Sequence, residues 1–131
     1  MDDIVIDTHI AIFADASQFS KPAETAIDQA EAGEVLFVSA ITIIELIYLT
    51  EKGKIPPDVL DFLRDALDDS TTAFQLIEVT REIANEVENI PRLTVPEMPD
   101  HIIAATALPL NLPLITKDSK IQNLQNILTI W

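Results

Sequence analysis

Four carboxylates occupy positions in the sequence that are not those expected of ordinary solvent-exposed acids. Asp7 follows the apolar run at residues 4–6, Asp118 follows the apolar pair at 114–115, Asp100 opens a run of small and apolar residues, and Glu45 interrupts an apolar stretch. Carboxylate oxygens without cysteine suit hard cations such as Mg²⁺ or Mn²⁺. Such an ion lowers the pKa of a bound water and holds phosphate oxygens, which is the chemistry of phosphodiester hydrolysis.

Glu45 is the most informative of the four because of its surroundings. The helix expected over residues 40–51 is apolar all round, which predicts that it is buried. A buried, unpaired carboxylate costs several kcal/mol or takes up a proton. No Lys or Arg lies between Lys21 and Lys52 to neutralise it locally. The side chain either pairs with a distant arginine, has a raised pKa, or faces a cavity that holds a cation, and we favour the cavity.

The other three acids also have purely structural explanations. Asp is a preferred N-cap residue, so Asp7 and Asp100 could each simply cap the helix that follows. Asp118 precedes Ser119 and could form a turn. Asp7 and Asp118, however, leave their strands at the same edge of a parallel sheet, which is where α/β proteins bind ligands. We therefore expect the acids to converge at that edge.

Alternating strands and helices must position these acids. Short apolar runs predict strands, and capped stretches with one apolar face predict helices. The expected strands cover residues 4–6, 35–38, 74–79, 114–115 and 127–130. The expected helices cover residues 8–13, 40–51, 58–67 and 100–108, with two more capped by Ser20 and Thr80, the first of them ending at Gly33. This order predicts an α/β fold with a parallel sheet covered by helices on both faces.

Composition narrows the function classes. The chain has 131 residues, no cysteine and two glycines, which excludes disulfide frameworks, thiolate zinc sites and glycine-rich phosphate loops. No apolar stretch reaches the ~20 residues of a membrane span, and the Met-Asp-Asp start does not match a signal peptide, so we expect a cytoplasmic protein without a membrane partner. The formal net charge of −14 argues against nucleic acid as a partner.

Four segments resemble the PIN-domain family, most closely the VapC-type toxins of bacterial toxin–antitoxin pairs. They are Ile-Val-Ile-Asp-Thr at 4–8, Ile-Ile-Glu-Leu around Glu45, Pro-Asp-His-Ile-Ile-Ala-Ala-Thr-Ala-Leu at 99–108, and Pro-Leu-Ile-Thr-Lys-Asp at 113–118. The likeness covers essentially the whole chain. It implies that residues 1–131 form one PIN-like domain, a three-layer α/β/α sandwich on a central parallel sheet.

The resemblance also implies an activity and a division of roles. The activity is that of a Mg²⁺-dependent (or Mn²⁺-dependent) endoribonuclease, in which a metal-activated water attacks RNA and leaves a 5′-phosphate and a 3′-hydroxyl. The metal would be held chiefly by Asp7 and Asp100, with Glu45 and Asp118 completing the pocket. The hydroxyls of two threonines would orient these ligands: Thr8 and Thr116. The implied partners are a second copy of the chain and a small antitoxin that fills the active-site groove.

Some residues depart from the family's pattern. Asn111 stands where many relatives have glycine, and asparagine tolerates the left-handed conformation. Pro109 falls where the family's helix often continues, so we expect a kink or an early end. Ser119 and Lys120 follow Asp118, where some relatives have a further aspartate, which leaves the number of metal ions open.

The remaining polar residues near the four acids are less specific. Lys117 and Lys120 flank Asp118 and could bind the scissile phosphate, although solvated lysines explain them equally well. His9 lies two residues after Asp7 and could touch the substrate, although we expect a partly exposed bystander, and His101 is expected to lie at the surface.

Other functions remain open from the sequence. The chain could be an RNA-processing nuclease without a toxin role, or a non-catalytic binding module whose acids hold a structural ion. A phosphatase with an aspartate nucleophile at a strand end would need a second aspartate two residues after Asp7, and His9 stands there.

Overall fold

A parallel five-stranded sheet forms the centre of the protein, for which a computed structural model describes residues 3–12 and 18–131. The strands are β1 (Ile4–Ile6), β2 (Leu36–Ser39), β3 (Phe74–Ile77), β4 (Leu114–Ile115) and β5 (Thr129–Ile130). Their order across the sheet is β3-β2-β1-β4-β5, and every pairing is parallel. The central position of β1 follows from its sequence, because all three of its residues are apolar and buried.

Seven helices connect and cover the strands in the described part of the chain. They are α1 (Thr8–Ile12), α2 (Lys21–Glu31), α3 (Ala40–Glu51), α4 (Pro57–Asp68), α5 (Arg81–Glu86), α6 (Met98–Leu110) and α7 (Ser119–Gln122), with a 3₁₀ turn at Val87–Asn89 after α5. Side-chain caps start several of them as the sequence predicts. Ser20, Ser39 and Thr80 each accept a hydrogen bond from the first turn of the helix that follows.

Two hydrophobic cores lie on opposite faces of the sheet. Val5 belongs to one core with the inner face of α6, whereas Ile4 and Ile6 belong to the other core with α2 and α4. Successive residues of a strand point to opposite faces, so β1 contributes to both cores. The predicted α/β/α sandwich on a parallel sheet is thereby confirmed.

The boundaries of α6 differ from those expected. The helix begins at Met98 and includes Pro109, ending at Leu110 rather than at Leu108. A proline removes one backbone donor, and this close to the helix end the rest of the hydrogen-bond pattern is little affected. The expected end of α1 at Phe13 lies outside the described residues.

The expectation that α3 is buried on all sides is wrong. The helix packs against α4 and α6, but Ile44 is 44% exposed and Tyr48 is 58% exposed. The apolar residues of α3 therefore cover the core on one side and form an open apolar surface on the other. Across the described residues, none of the helices is both long and apolar enough to cross a membrane.

The end of α6 provides a test of the backbone geometry. Asn111 has a left-handed conformation, with φ 53° and ψ 42°. We expect Asn111→Ala to lower the free energy of unfolding by about 1 kcal/mol, because alanine is strained in that conformation, and Asn111→Gly to preserve it. Asn123 ends α7 at φ −80° and is the matched control, where alanine should cost less than ~0.5 kcal/mol. Urea unfolding measures both, and equal losses would contradict the explanation.

Candidate active site

The pairing of β1 with β4 places Asp7 beside Thr116. Ile6 is paired with Ile115, so the residues that follow them leave the sheet side by side at its carboxyl edge. The Thr116 hydroxyl donates to Asp7 Oδ2 over 2.7 Å. Asp7 is 1% exposed and Thr116 is fully buried. This contact joins residues that are 109 positions apart and is the innermost part of the site.

The second oxygen of Asp7 is also occupied. Its Oδ1 atom accepts a hydrogen bond from the backbone N–H of Thr8 over 2.7 Å, at the start of α1. This N–H belongs to the first residue of α1 and not to the second or third, so the contact is not the N-cap bond expected as an alternative for Asp7. Burial raises the pKa of Asp7, and the hydrogen bonds from Thr116 and Thr8 oppose that rise only in part.

Glu45 enters the site from α3. The Thr8 hydroxyl lies 2.5 Å from Glu45 Oε1 and donates to it, and the same hydroxyl oxygen lies 3.0 Å from the Thr42 hydroxyl. Burial is the main cause that raises the pKa of Glu45, and the nearby charge of Asp7 adds to it. Within residues 3–12 and 18–131, no Lys or Arg forms an ion pair with Glu45. The Glu45 carboxylate is therefore held by the neutral hydroxyl of Thr8 and not by an ion pair with Lys or Arg.

Asp100 lies in the first turn of α6. The residue that caps this helix is Glu97, so the expectation that Asp100 might be the N-cap is not met. Burial raises the pKa of Asp100 to about 7, and the charges of Asp7, Asp118 and Glu45 add to the rise in that order. A carboxyl group whose pKa responds to three others shares one electrostatic environment with them.

Asp118 has both a structural contact and a place near the other acids. Its Oδ1 atom accepts hydrogen bonds from the backbone N–H groups of Lys120 at 2.7 Å and Ile121 at 3.3 Å, which caps α7. Its own N–H donates to the Thr116 hydroxyl over 3.0 Å. Thr116 therefore links Asp118 to Asp7, because it accepts from one residue and donates to the other.

Two residues of the site were not identified from the sequence. Thr42 contacts Thr8, and its only sequence signal is a hydroxyl one helical turn before Glu45 in an otherwise apolar segment. His9 was expected to be a bystander. Its side chain is exposed, yet it lies close enough to lower the pKa values of Asp7, Glu45 and Asp100 electrostatically.

Lys117 and Lys120 lie beside Asp118 as the sequence predicts, whereas His101 does not lie at the surface. Lys117 and Lys120 are both solvent-accessible beside Asp118. The ammonium of Lys117 lies 5.9 Å from the centre of the Trp131 ring, which is a cation–π distance. His101 was expected at the surface, but it is only 5% exposed and its Nε2 atom has no hydrogen-bond partner. The inner face of α6 buries it, because His101 lies among small apolar residues that pack on the sheet.

The acids are close but do not form a closed coordination sphere. In the part of the chain that the structure describes, no three Asp, Glu or His side chains converge tightly enough to hold a metal ion. A separate cleft of about 580 Å³, at the amino edge of the sheet near Asp3 and Asn111, contains none of the four acids.

Solved structures share this fold at low sequence identity. A chain of VapBC2 from Rickettsia felis, bound to a promoter DNA fragment, matches with a TM-score of 0.71 and 17% identity, over 97% of this chain and 96% of that one. A chain of DNA-bound VapBC from Salmonella typhimurium matches with a TM-score of 0.70 and 18% identity, over 98% and 97%. A toxin–antitoxin complex from Klebsiella pneumoniae contributes a match with a TM-score of 0.61 and 23% identity, over 96% of each chain.

The sequence comparison identifies the family independently of these structures. No curated protein matches the chain. The family model described as the PIN domain matches residues 4–127, a span that contains all four acids. The chain therefore belongs to the PIN domain family.

Proposed function

We propose that this protein is a Mg²⁺-dependent endoribonuclease and the toxin of a toxin–antitoxin pair. One observation carries the proposal: hydrogen bonds through Thr116 and Thr8 bring Asp7, Asp118 and Glu45 together at the carboxyl edge of the sheet. Burial, and then the charges of these three acids, raise the pKa of Asp100. Metal-dependent nucleases use such clusters of acids to hold the divalent cation. Membership of the PIN family and structural likeness to chains of toxin–antitoxin complexes support the same assignment.

The chemistry of the acids fits a hard divalent cation. All four candidate ligands provide carboxylate oxygens, which suits Mg²⁺ or Mn²⁺ better than zinc or copper. We assign the ion chiefly to Asp7 and Asp100, with Glu45 and Asp118 contacting it directly or through water. When bound, the ion lowers the pKa of a water molecule and offsets the negative charge of a phosphodiester.

Two threonine hydroxyls and a backbone N–H orient the carboxylates that would hold the metal. Thr116 and the N–H of Thr8 hold the Asp7 carboxylate, and the Thr8 hydroxyl holds Glu45. These hydrogen bonds occupy some lone pairs of the carboxylate oxygens but do not neutralise their negative charge, which remains to attract a cation. Attack of water in line with the leaving oxygen would leave a 5′-phosphate and a 3′-hydroxyl.

Lys117 is our candidate for binding the substrate phosphate. It is adjacent to Asp118 in sequence, and its ammonium lies over the Trp131 ring. The ring of Phe19 packs edge-on against Trp131, with centroids 6.3 Å apart, which restrains the indole. A lysine restrained beside the acids can contact an RNA phosphate at a lower entropic cost than a free one. Lys120, in the first turn of α7, is a second candidate for binding the substrate phosphate.

Exposed apolar surfaces support the two proposed protein partners. Phe62 is 61% exposed beside a groove of about 180 Å³ that Phe19 and Phe74 also line. We assign this groove to the antitoxin as a second contact, in addition to the segment that would fill the active-site groove. The exposed face of α3 with Ile44 and Tyr48 is our candidate for contact with a second copy of the chain. An antitoxin that approaches a chain of charge −14 is expected to carry basic residues.

RNA cleavage tests the proposed activity directly. We expect the parent protein to cleave RNA with Mg²⁺, and Asp7→Asn or Asp100→Asn to reduce the rate by at least about 100-fold, because each removes a charged metal ligand. Asp61→Asn, in an exposed acid of α4, is the control and should cleave like the parent. The products should carry 5′-phosphates. Equal cleavage by all four proteins would show that the acids are not the active site.

The toxin role has a separate measurement. Induced expression of the parent should arrest growth, and Asp7→Asn should relieve the arrest. RNA cleavage in the test tube without any growth arrest would favour an RNA-processing nuclease. Metal binding without cleavage of any RNA would favour a non-catalytic binding module.

The pH dependence of stability tests the electrostatics of the site. Because the pKa of Asp100 is raised to about 7, the folded protein without metal holds a proton that the unfolded chain releases at lower pH. The stability that this proton provides is lost as the pH rises through about 7. Asp100→Asn should therefore raise the Tm of the metal-free protein at about pH 8, by roughly 4 °C for ~1 kcal/mol after solvent screening, and much less at about pH 5.

Added Mg²⁺ gives the complementary result. Carboxylates bind metal in their ionised form, so Mg²⁺ should raise the Tm of the parent more at about pH 8 than at about pH 5. Asp100→Asn should lose most of that gain, and Asp61→Asn should keep it. If the difference in Tm between the parent and Asp100→Asn were the same at both pH values, it would contradict the raised pKa of Asp100.

Steady-state kinetics test Lys117. We expect Lys117→Gln to raise the KM for RNA roughly threefold to tenfold with little change in kcat, and to reduce the salt dependence of binding by about one unit of slope, because one phosphate contact is lost. Lys54→Gln is the control, in an exposed lysine of the loop after α3. A fall in kcat with no change in KM or in salt dependence would contradict a role in phosphate binding.

A further inference from the structure

We propose that Thr42 is a positioning residue of the acidic site, which acts through the Thr8 hydroxyl on Glu45. The inference rests on the proposed function in one respect, because it requires the carboxyl group of Glu45 to be ionised. It concerns a residue that touches neither the substrate nor a metal ion in the assignment above. The evidence is a chain of contacts from the first turn of α3, through α1, and back to α3.

The three side chains form a continuous line of hydrogen bonds. Thr42 is fully buried and Thr8 is 1% exposed. Their hydroxyl oxygens are 3.0 Å apart, and the Thr8 hydroxyl is 2.5 Å from Glu45 Oε1. Both distances are within the range of O–H···O hydrogen bonds. No water is needed to complete this line.

The number of protons determines its direction. A threonine hydroxyl has one proton, and an ionised carboxylate can only accept. The Thr8 proton is therefore committed to Glu45, so the contact between the two threonines requires Thr42 to donate to Thr8. A hydrogen bond from Thr42 occupies one lone pair of the Thr8 oxygen and favours orientations in which the Thr8 proton points away from Thr42, towards Glu45. Hydrogen bonds arranged in this head-to-tail order also strengthen one another.

Other helical threonines in this protein use their hydroxyls differently. Thr50 in α3 donates to the carbonyl of Leu46, and Thr106 in α6 donates to the carbonyl of Ile102, each over 2.7 Å. These are local bonds within one helix, which is the usual behaviour of a threonine inside a helix. Thr42 instead reaches a residue 34 positions away on another helix.

The position of Thr8 explains why its orientation matters. Its hydroxyl contacts Glu45, and its backbone N–H contacts Asp7. One residue therefore sets the spacing between two of the four acids. If the Thr8 side chain can rotate away, Glu45 loses its fixed place relative to Asp7. Thr42 is the residue that prevents this rotation.

The first experiment measures the Thr8 side chain in the metal-free protein. Three-bond scalar couplings report its χ1 angle by NMR and require neither metal nor activity. The parent and Thr42→Ser should each show a single rotamer, and Thr42→Val should show an average over rotamers. Thr106→Val removes an equally buried hydroxyl outside the line and should leave the Thr8 couplings unchanged. A single Thr8 rotamer in Thr42→Val would overturn the inference.

The second experiment measures Mn²⁺ and Mg²⁺ binding by calorimetry. Removal of a residue that orients metal ligands typically costs 10–100-fold in affinity, and Thr42 is one contact further out, so we expect roughly a threefold to tenfold loss in Thr42→Val. Thr42→Ser should restore the affinity, and Thr106→Val should retain it. In a Thr8→Val background, Thr42→Val should have no further effect, because its action passes through Thr8.

The outcomes separate the two proposals. A parent protein that binds neither ion contradicts the proposed function, while the NMR couplings still decide whether Thr42 orients Thr8. A parent that binds metal, with equal affinity in Thr42→Val, contradicts the role of Thr42 alone. Losses from Thr42→Val and Thr8→Val that simply add would also contradict it, because Thr42 would then act by another route.

Discussion

The parallel pairing of β1 with β4 is the interaction on which the acidic site depends. These two strands are far apart in sequence, and their register sets Asp7 beside Thr116 where both strands end. Parallel strands present their carboxyl ends at one edge, so the same pairing also brings the start of α7 with Asp118 to that edge. A shift of one residue would turn these side chains to the wrong face of the sheet.

Neutral hydroxyls hold the acids in place, and this choice has a functional consequence. Lysine or arginine partners would neutralise the carboxylates, whereas Thr8, Thr42 and Thr116 orient them and leave their charge in place. Burial is the main cause that raises the pKa values of Asp7, Glu45 and Asp100, and the charges of neighbouring acids add to the rise.

The net charge of the chain and the local charge of the four acids have different consequences. A net charge of −14 disfavours approach of RNA at long range, but a divalent ion would change the sign of the potential where the four acids meet. The exposed apolar side chains of Ile44, Tyr48 and Phe62 lie outside the acidic site. Contiguous exposed apolar residues are typical of surfaces that bind other proteins.

The sequence by itself determined the fold class, most element boundaries and the identity of the four acids. Apolar runs, capping residues and Glu45 within an apolar helix are local signals, because they depend on residues close together in the chain. Asn111 was likewise recognisable as a residue suited to a left-handed helix end.

Only the tertiary structure decided how the side chains meet. The burial of His101, the open apolar side of α3 and the hydrogen bond between Thr42 and Thr8 depend on how distant helices pack. Asp100 is an ordinary residue of a first helical turn in the sequence, and its pKa of about 7 reflects burial first and then the charges of Asp7, Asp118 and Glu45. Residue types and spacing predict which groups can do chemistry, but contacts between distant segments set their distances and their charge.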